Sequence, residues 1–402
     1  MSSEFLRAEL STFADFGERT RVVSKDFEGT ELPHYVNEFW TSKQRAAHSL
    51  HEVSYRACFK PQLPGFFIER LTRPGDTVYD PFMGRGTTVL EAALRDRIPL
   101  GNDINPLARI LVAPRLHPPS LEEIAARLNE LDWTAKEPLE EDLLTFYHPE
   151  TLAEITALRH YLLQKEKLDH LDEWIRMVAT NRLTGHSKGF FSVYTLPPNQ
   201  AVSLASQRKI NEKRAQIPPR REVAPIILKK SRSLLLKLEP LLEGHLWKRG
   251  REANLHTGAA SKTPGIANES VDLVVTSPPF LNVVDYQGDN WLRCWFNGIN
   301  ANEVPISIHR RPDDWQEAMK EVFCELRRVL RSGGHVAFEV GEVNRGKLLM
   351  EELVVPAGLA AGLKPELIVI NEQNFTKTAN CWGVDNLGKG TNTNRIVLFT
   401  KP

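Results

Sequence analysis

The sequence predicts an α/β chain built on a doubly wound sheet and interrupted by a large, mostly helical insertion. Three observations predict it. Residues 77–103 read as strand, glycine-bearing turn, helix, strand and acid, the pattern of a βαβ unit. From about Pro114 to Leu255 that alternation stops, and apolar residues recur at helical spacing. From Val271 the alternation resumes.

The first fifty residues are polar and aromatic, with Tyr35, Phe39 and Trp40 close together, and are expected as an N-terminal arm over 1–50. A short helix runs through Phe66, Phe67, Ile68 and Leu71 and ends before Pro74-Gly75. Thr77–Asp80 is a strand, a glycine-bearing turn follows, and Val89–Leu94 is a helix. Leu100–Asp103 is the next strand, and Asn105-Pro106 opens another helix. The insertion shows apolar spacing through Leu121, Ile124, Leu128 and Leu131, and again through Leu152, Ile155, Leu158 and Leu162. Beyond it, Val271–Val275 is a strand, Trp315–Leu330 a helix, and His335–Val340, Glu366–Ile370 and Arg395–Thr400 are strands. The expected division is therefore a core of 51–113 and 255–402 around an insertion of 114–254.

A chain of 402 residues is long enough for a large core with such an insertion. Its formal charge is zero, which removes any global pull toward polyanions or membranes. The charge is uneven, however. Between Ser206 and Glu252 thirteen Lys or Arg face five acids. A local basic stripe in a neutral chain points to a polyanionic partner, with a solvated face as the plainer reading. The cysteines Cys58, Cys294, Cys324 and Cys381 are scattered singly, against a disulfide framework or a structural zinc site, and no metal is expected. None follows a proline, so a Pro-Cys nucleophile for attack on a pyrimidine ring is absent. No signal-peptide core and no membrane-length apolar run is present, so a cytoplasmic protein is expected, with no membrane partner.

Two segments carry chemistry. In Asp80-Pro81-Phe82-Met83-Gly84-Arg85-Gly86-Thr87-Thr88 two glycines lie between a strand and a helix, where a ligand can approach the backbone. Asp103, at the end of the next strand, stands where an acid can accept both hydroxyls of a ribose. Thr87-Thr88 replace the third glycine of the dinucleotide pattern, which disfavours a pyrophosphate. The second segment is Thr276-Ser277-Pro278-Pro279-Phe280, at the end of the apolar strand. Its prolines have fixed φ and no N–H, so nearby carbonyls are free to accept hydrogen bonds, and the Phe280 ring offers a stacking face. A planar heterocycle bearing an NH2 group suits that arrangement. Pro-Pro as a mere strand terminator is the alternative. For Trp295 and Phe296 the helical spacing favours plain core over a base-pocket wall, and His309-Arg310-Arg311 reads as a phosphate grip or a solvated run.

These motifs, in this order, resemble the S-adenosylmethionine-dependent amino-methyltransferases of DNA, over roughly residues 55–113 and 255–402. The resemblance implies a Rossmann-like methyltransferase sheet. It implies that the loop from Asp80 to Gly86 holds the methionine part of the cofactor, that Asp103 takes the ribose, and that Phe59, Lys60 and Gln62 pack around the cofactor carboxylate. Phe82, Thr87, Thr88, Asn105, Pro106 and Thr276 join Lys60, Gln62, Asp80, Gly84, Gly86 and Asp103 as cofactor-binding candidates. Ser277, Pro278, Pro279 and Phe280 match the tetrapeptide that receives a flipped base. Ser in its first position goes mostly with cytosine N4, Asp or Asn with adenine N6. The insertion would read the target through Arg208, Lys209, Lys213, Arg214, Arg220 and Arg221, with Tyr286 near the base. Double-stranded DNA is then the partner, a cognate restriction endonuclease a further one, and a prokaryotic, nucleoid-associated setting follows. Adenine N6 on DNA, guanine N2 on RNA and an inactive cofactor-fold module are the rival readings. One departure stands out: the family often has an acid for the cofactor's adenine shortly before the catalytic tetrapeptide, and Leu255–Ser261 contains none.

Overall fold

The computed structural model describes residues 3–27, 29–40, 47–56, 58–196, 201–279, 286–306, 309, 311–343, 348–372 and 393–402. Among them the chain forms α1 (Ser3–Thr12), β1 (Arg21–Phe27), β2 (Thr30–Asn37), α2 (Gln62–Leu71), β3 (Thr77–Asp80), α3 (Thr87–Leu94), β4 (Ile98–Asp103) and α4 (Leu107–Val112). The helical stretch follows as α5 (Leu121–Glu130), α6 (Pro149–Gln164), α7 (His170–Thr180), α8 (Leu204–Arg214), α9 (Val223–Leu235) and α10 (Pro240–Glu252). Then come β5 (Asn254–Thr257), β6 (Val271–Thr276), α11 (Tyr286–Phe296), α12 (Pro312–Val329), β7 (Leu330–Val340), β8 (Glu342–Val343), β9 (Leu348–Leu349), α13 (Glu351–Ala360), β10 (Lys364–Glu372) and β11 (Thr393–Thr400). No described helix is long and apolar enough to cross a membrane.

One nine-stranded sheet organises the molecule, in the order β1-β2-β10-β11-β7-β6-β3-β4-β5. Strands β5, β4, β3, β6 and β7 are mutually parallel. The chain leaves β3 toward β4 and β5, then returns to lay β6 and β7 on the other side of β3. That is the doubly wound arrangement, with its topological switch between β3 and β6. Two features depart from a plain parallel sheet. β11 runs antiparallel between β7 and β10. The stretch expected as an arm instead contributes β1 and β2, and β2 pairs parallel with β10. Tyr35, Phe39 and Trp40 are buried there against Phe66 and Phe67 of α2, so aromatic burial rather than local pattern commits this segment to the sheet.

The central strands are apolar on both faces, as strands covered by helices must be. α12 buries Trp315, Met319, Val322, Phe323, Leu326 and Val329, one stripe at helical spacing, against the sheet. The inserted helices do not form a detached body. Leu128 of α5, Trp174 and Met177 of α7 and Ile227 of α9 share one apolar cluster with Val89, Leu90 and Ala93 of α3 and Leu111 of α4. Phe296 lies in that cluster at 1% exposure, so the core reading of this ring holds.

Candidate active site

The site lies at the carboxyl ends of β3 and β6, on either side of the switch, where open α/β sheets place ligands. Asp80 ends β3 and Thr276 ends β6. The Thr276 hydroxyl donates to Asp80 Oδ1 at 2.6 Å, and the Phe82 N–H donates to the same oxygen at 3.1 Å. Thr88 Oγ1 donates to the Val275 carbonyl at 3.0 Å, which pins the start of α3 onto β6. Asp80 is 1% exposed, and no cation among the described residues acts on it. Burial therefore pushes its carboxyl up to about 7, against the hydrogen bonds it accepts.

The turn between β3 and α3 is tied to the end of β4. The Met83 N–H donates to the Asn102 carbonyl at 2.9 Å, and the Gly84 N–H to Asp103 Oδ2 at 2.8 Å. The Asn105 N–H takes the other oxygen, Oδ1, at 2.8 Å. Gly84 and Gly86 have φ of +47° and +74°, and a Cβ on Gly86 would sit 2.4 Å from the Val112 side chain, so the turn needs glycine there for both conformation and space. Beyond β5 the Gly258 N–H donates to the Asp103 carbonyl at 3.0 Å, and Asn102 Nδ2 donates to the Gly258 carbonyl at 2.9 Å. Three strand-end loops are thus laced together around Asp103.

They border a cavity of about 460 Å³. Asp80, Phe82, Gly84, Thr87, Asp103 and Asn105 line it, together with Ser277 and Pro279. The cofactor candidates and the candidate catalytic turn therefore meet in one space. Gly86, Thr88, Pro106, Thr276 and Pro278 stand behind the wall: Thr88 and Thr276 spend their hydroxyls on the sheet, and Gly86 packs on Val112. Lys60 and Gln62 do not line the cavity either. Tyr55, Arg56, Cys58 and Phe59 do, because the segment ahead of α2 passes the site before Lys60 leads away into the helix. Sequence pattern gave no signal for Tyr55 and Arg56. The opposite wall is apolar, with Ile104 and, from α12, Trp315, Met319 and Val322. Ala259, Ala260 and Ser261 reach it as well, so the acid-free stretch does border the pocket. Phe280 and the side chain of Tyr286 fall outside the described residues.

The donors and acceptors suit a nucleoside cofactor. Each oxygen of Asp103 already accepts one backbone N–H, and a carboxylate offers about four lone-pair sites. Two remain for a vicinal diol at the cavity edge. Burial pushes the Asp103 carboxyl up to about 6, against the bonds from Asn105 and Gly84. Among the described residues no group of His, Cys, Asp and Glu is arranged to hold a metal ion.

Glu339, near the end of β7, is a residue that the sequence pattern does not single out. It is 4% exposed, accepts from Asn394 Nδ2 at 2.8 Å, interacts electrostatically with the Ser277 hydroxyl, and has its pKa raised by burial. The available signal was a lone acid in an otherwise apolar strand.

The basic stripe divides. Arg208 pairs with Asp142 at 2.7 Å, and Arg220 is held by Glu150 at 2.8 Å and also by Glu154. Arg249 is tied to Asp96 at 2.7 Å in the fold. Lys209, Lys213 and Arg214 are exposed on α8, Arg214 lying over the Tyr194 ring at 3.9 Å, and Arg221 is half-buried. The start of α8 is fixed beside the site: the Ala201 N–H donates to the Asp289 carbonyl at 2.9 Å, and Trp291 Nε1 to the Val202 carbonyl at 3.2 Å, both on α11.

Residues 18–110 match the model of a family described as DNA methylase, N6_N4_Mtase, which supports the reading as an amino-methyltransferase of the N4/N6 family. Type II methyltransferase M.BsoBI of Geobacillus stearothermophilus is 24% identical over 330 residues, covering 73% of this chain and 61% of that protein. Type II methyltransferase M.MvaI of Kocuria varians is 28% identical over 106 residues, 26% of this chain and 23% of that one. The chain thus spans less than two thirds of the length of either relative. Among solved structures, the rRNA methyltransferase aviRa of Streptomyces viridochromogenes aligns over 90% of this chain and 94% of its own at 13% identity, with a TM-score of 0.36.

Proposed function

We propose, for a chain whose residues 18–110 match the DNA methylase family, that it binds S-adenosylmethionine in the cavity and methylates the exocyclic amino group of a base flipped out of double-stranded DNA. The base is cytosine, methylated at N4, and the setting is restriction and modification. The observation that carries this reading is convergence: the Asp80–Gly84 turn, Asp103, Ser277 and Pro279 border one cavity at the switch point.

Bound S-adenosylmethionine supplies an electrophilic methyl group. The protein's part is to hold and orient. Asp103 accepts the ribose hydroxyls, and the turn from Asp80 to Gly84 cradles the methionine end. A cytosine amino nitrogen is a poor nucleophile because its lone pair is delocalised into the ring. Hydrogen bonds from its N–H groups to Ser277 Oγ and the Pro278 carbonyl favour a pyramidal nitrogen. Glu339 draws the Ser277 hydroxyl proton to its own side, so the lone pairs of Ser277 Oγ are left for the base. Juxtaposing the reactants in a water-poor pocket accounts for roughly 7–11 kcal/mol of the barrier. The extra proton of the methylated amine is acidic and leaves to Ser277 Oγ or water. Ser277, where an acid or amide would suit adenine, supports cytosine. Lys209, Lys213 and Arg214 supply phosphate contacts.

The test is transfer of labelled methyl from S-adenosylmethionine to duplex DNA, followed by nucleoside analysis. N4-methylcytosine is the expected product. N6-methyladenine would overturn the choice of base, and label in RNA alone would overturn the DNA substrate.

A further inference from the structure

Two consecutive prolines leave the turn after β6 without backbone donors at Pro278 and Pro279, so no backbone hydrogen bond from either residue can hold it. Side chains do so instead. Thr276 is tethered to Asp80 at 2.6 Å. The last carbonyl of the turn, on Pro279, accepts a hydrogen bond from Trp315 Nε1 at 2.9 Å. Trp315 stands in the first turn of α12, is 1% exposed, and lines the cavity with its ring. A buried indole N–H needs a partner, and this one takes an acceptor next to the reacting position.

We infer that Trp315 is a positioning residue for methyl transfer. Its N–H occupies the Pro279 carbonyl and so leaves the Pro278 carbonyl as the acceptor for the base, while its ring forms the cofactor's wall. Among the described residues no donor reaches the Pro278 carbonyl. One side chain thereby links the cofactor space to the base-receiving turn. If the N–H is lost, the Pro279 carbonyl is released into the pocket as a competing acceptor and the turn loses its second tether. The inference rests on the proposed methylation of an exocyclic amine.

The experiment compares wild type, Trp315→Phe, and Trp315 replaced by 3-benzothienylalanine, which keeps the ring shape but has sulfur in place of the N–H. Three quantities are read: cofactor Kd by calorimetry, Tm, and single-turnover methylation of DNA with cofactor saturating. A small displacement of a reacting group can cost about a hundredfold in rate, so both variants should be slower by roughly 10- to 100-fold. Cofactor Kd should stay within about threefold in the benzothienylalanine protein, since its wall is intact. Tryptophan fluorescence should be quenched on cofactor addition in wild type and less so in both variants. A benzothienylalanine protein that turns over at the wild-type rate overturns the inference. So does a rate loss matched by an equal loss of cofactor affinity, which would make Trp315 a wall and nothing more. Should Trp315→Phe fold poorly, the isosteric variant carries the comparison. Absence of transfer by wild type to DNA sinks the underlying functional reading, and is told apart by appearing before any substitution.

Discussion

Thr276 Oγ1 and Asp80 Oδ1 are 2.6 Å apart, joining residues 196 positions apart in sequence. This bond closes the switch point. It fastens the strand that carries the Ser277-Pro278-Pro279 turn to the strand that opens the glycine-bearing turn, and it does so through a carboxyl group that no cation among the described residues pairs with.

That carboxyl makes stability depend on pH in a definite direction. Burial pushes Asp80 up to about 7, whereas an unfolded aspartate titrates near 3.9. Below pH 4 it is neutral in both states and costs nothing. Between pH 4 and 7 the folded state binds the additional proton, so stability falls as pH rises, and the whole penalty is present above pH 7. Asp80→Asn, whose Oδ1 can still accept from Thr276 and Phe82, should be more stable than wild type at pH 8 by on the order of 4 kcal/mol. At pH 4 the two should coincide. Thermal melts of the cofactor-free proteins across pH 4–8 check this, and parallel curves would show that Asp80 is not the titrating group.

Asp103 should govern cofactor affinity. Asp103→Ala removes the proposed diol acceptor and also strands the N–H groups of Gly84 and Asn105. Charge-assisted hydrogen bonds contribute roughly 1.5–3 kcal/mol each, so S-adenosylmethionine should bind at least about tenfold more weakly. Titration calorimetry measures it directly.

Ser277 and Glu339 should separate rate from binding. Ser277→Ala should lower single-turnover methylation by about 10- to 100-fold while cofactor Kd stays near the wild-type value. Glu339→Gln is the subtler case. Its Oε1 can keep the Asn394 bond, which turns the amide nitrogen toward Ser277 and reverses the serine hydroxyl. A rate loss of about tenfold is expected, corresponding to one misdirected hydrogen bond. Equal Kd changes in both variants would mean that these residues shape the cofactor site instead.

The basic stripe should behave as two populations. Replacing Lys209, Lys213 and Arg214 by Ala should weaken DNA binding and flatten its salt dependence by about one unit of slope for each phosphate no longer neutralised. Arg208→Ala and Arg220→Ala break ion pairs with Asp142 and with Glu150 and Glu154, and should change binding far less. Filter binding over a range of salt concentrations distinguishes them. A flat response in all five would remove α8 from the interface.

What the sequence determined by itself was local. Positive φ at Gly84 and Gly86, the missing N–H groups of Pro278 and Pro279, the acid at the end of β4 and the helical stripe of α12 are all short-range properties of the chain. They were legible because backbone sterics and residue periodicity act within a few positions. The tertiary structure decided the rest. It drew β1 and β2 into the sheet through aromatic burial, and it put Tyr55 and Arg56 on the cavity where Lys60 and Gln62 were expected. It also set Glu339 and Trp315 against the Ser277-Pro278-Pro279 turn. These placements follow from which whole faces bury one another and which buried polar atoms must find partners. Both conditions are met between residues far apart in the chain, and no local pattern records them.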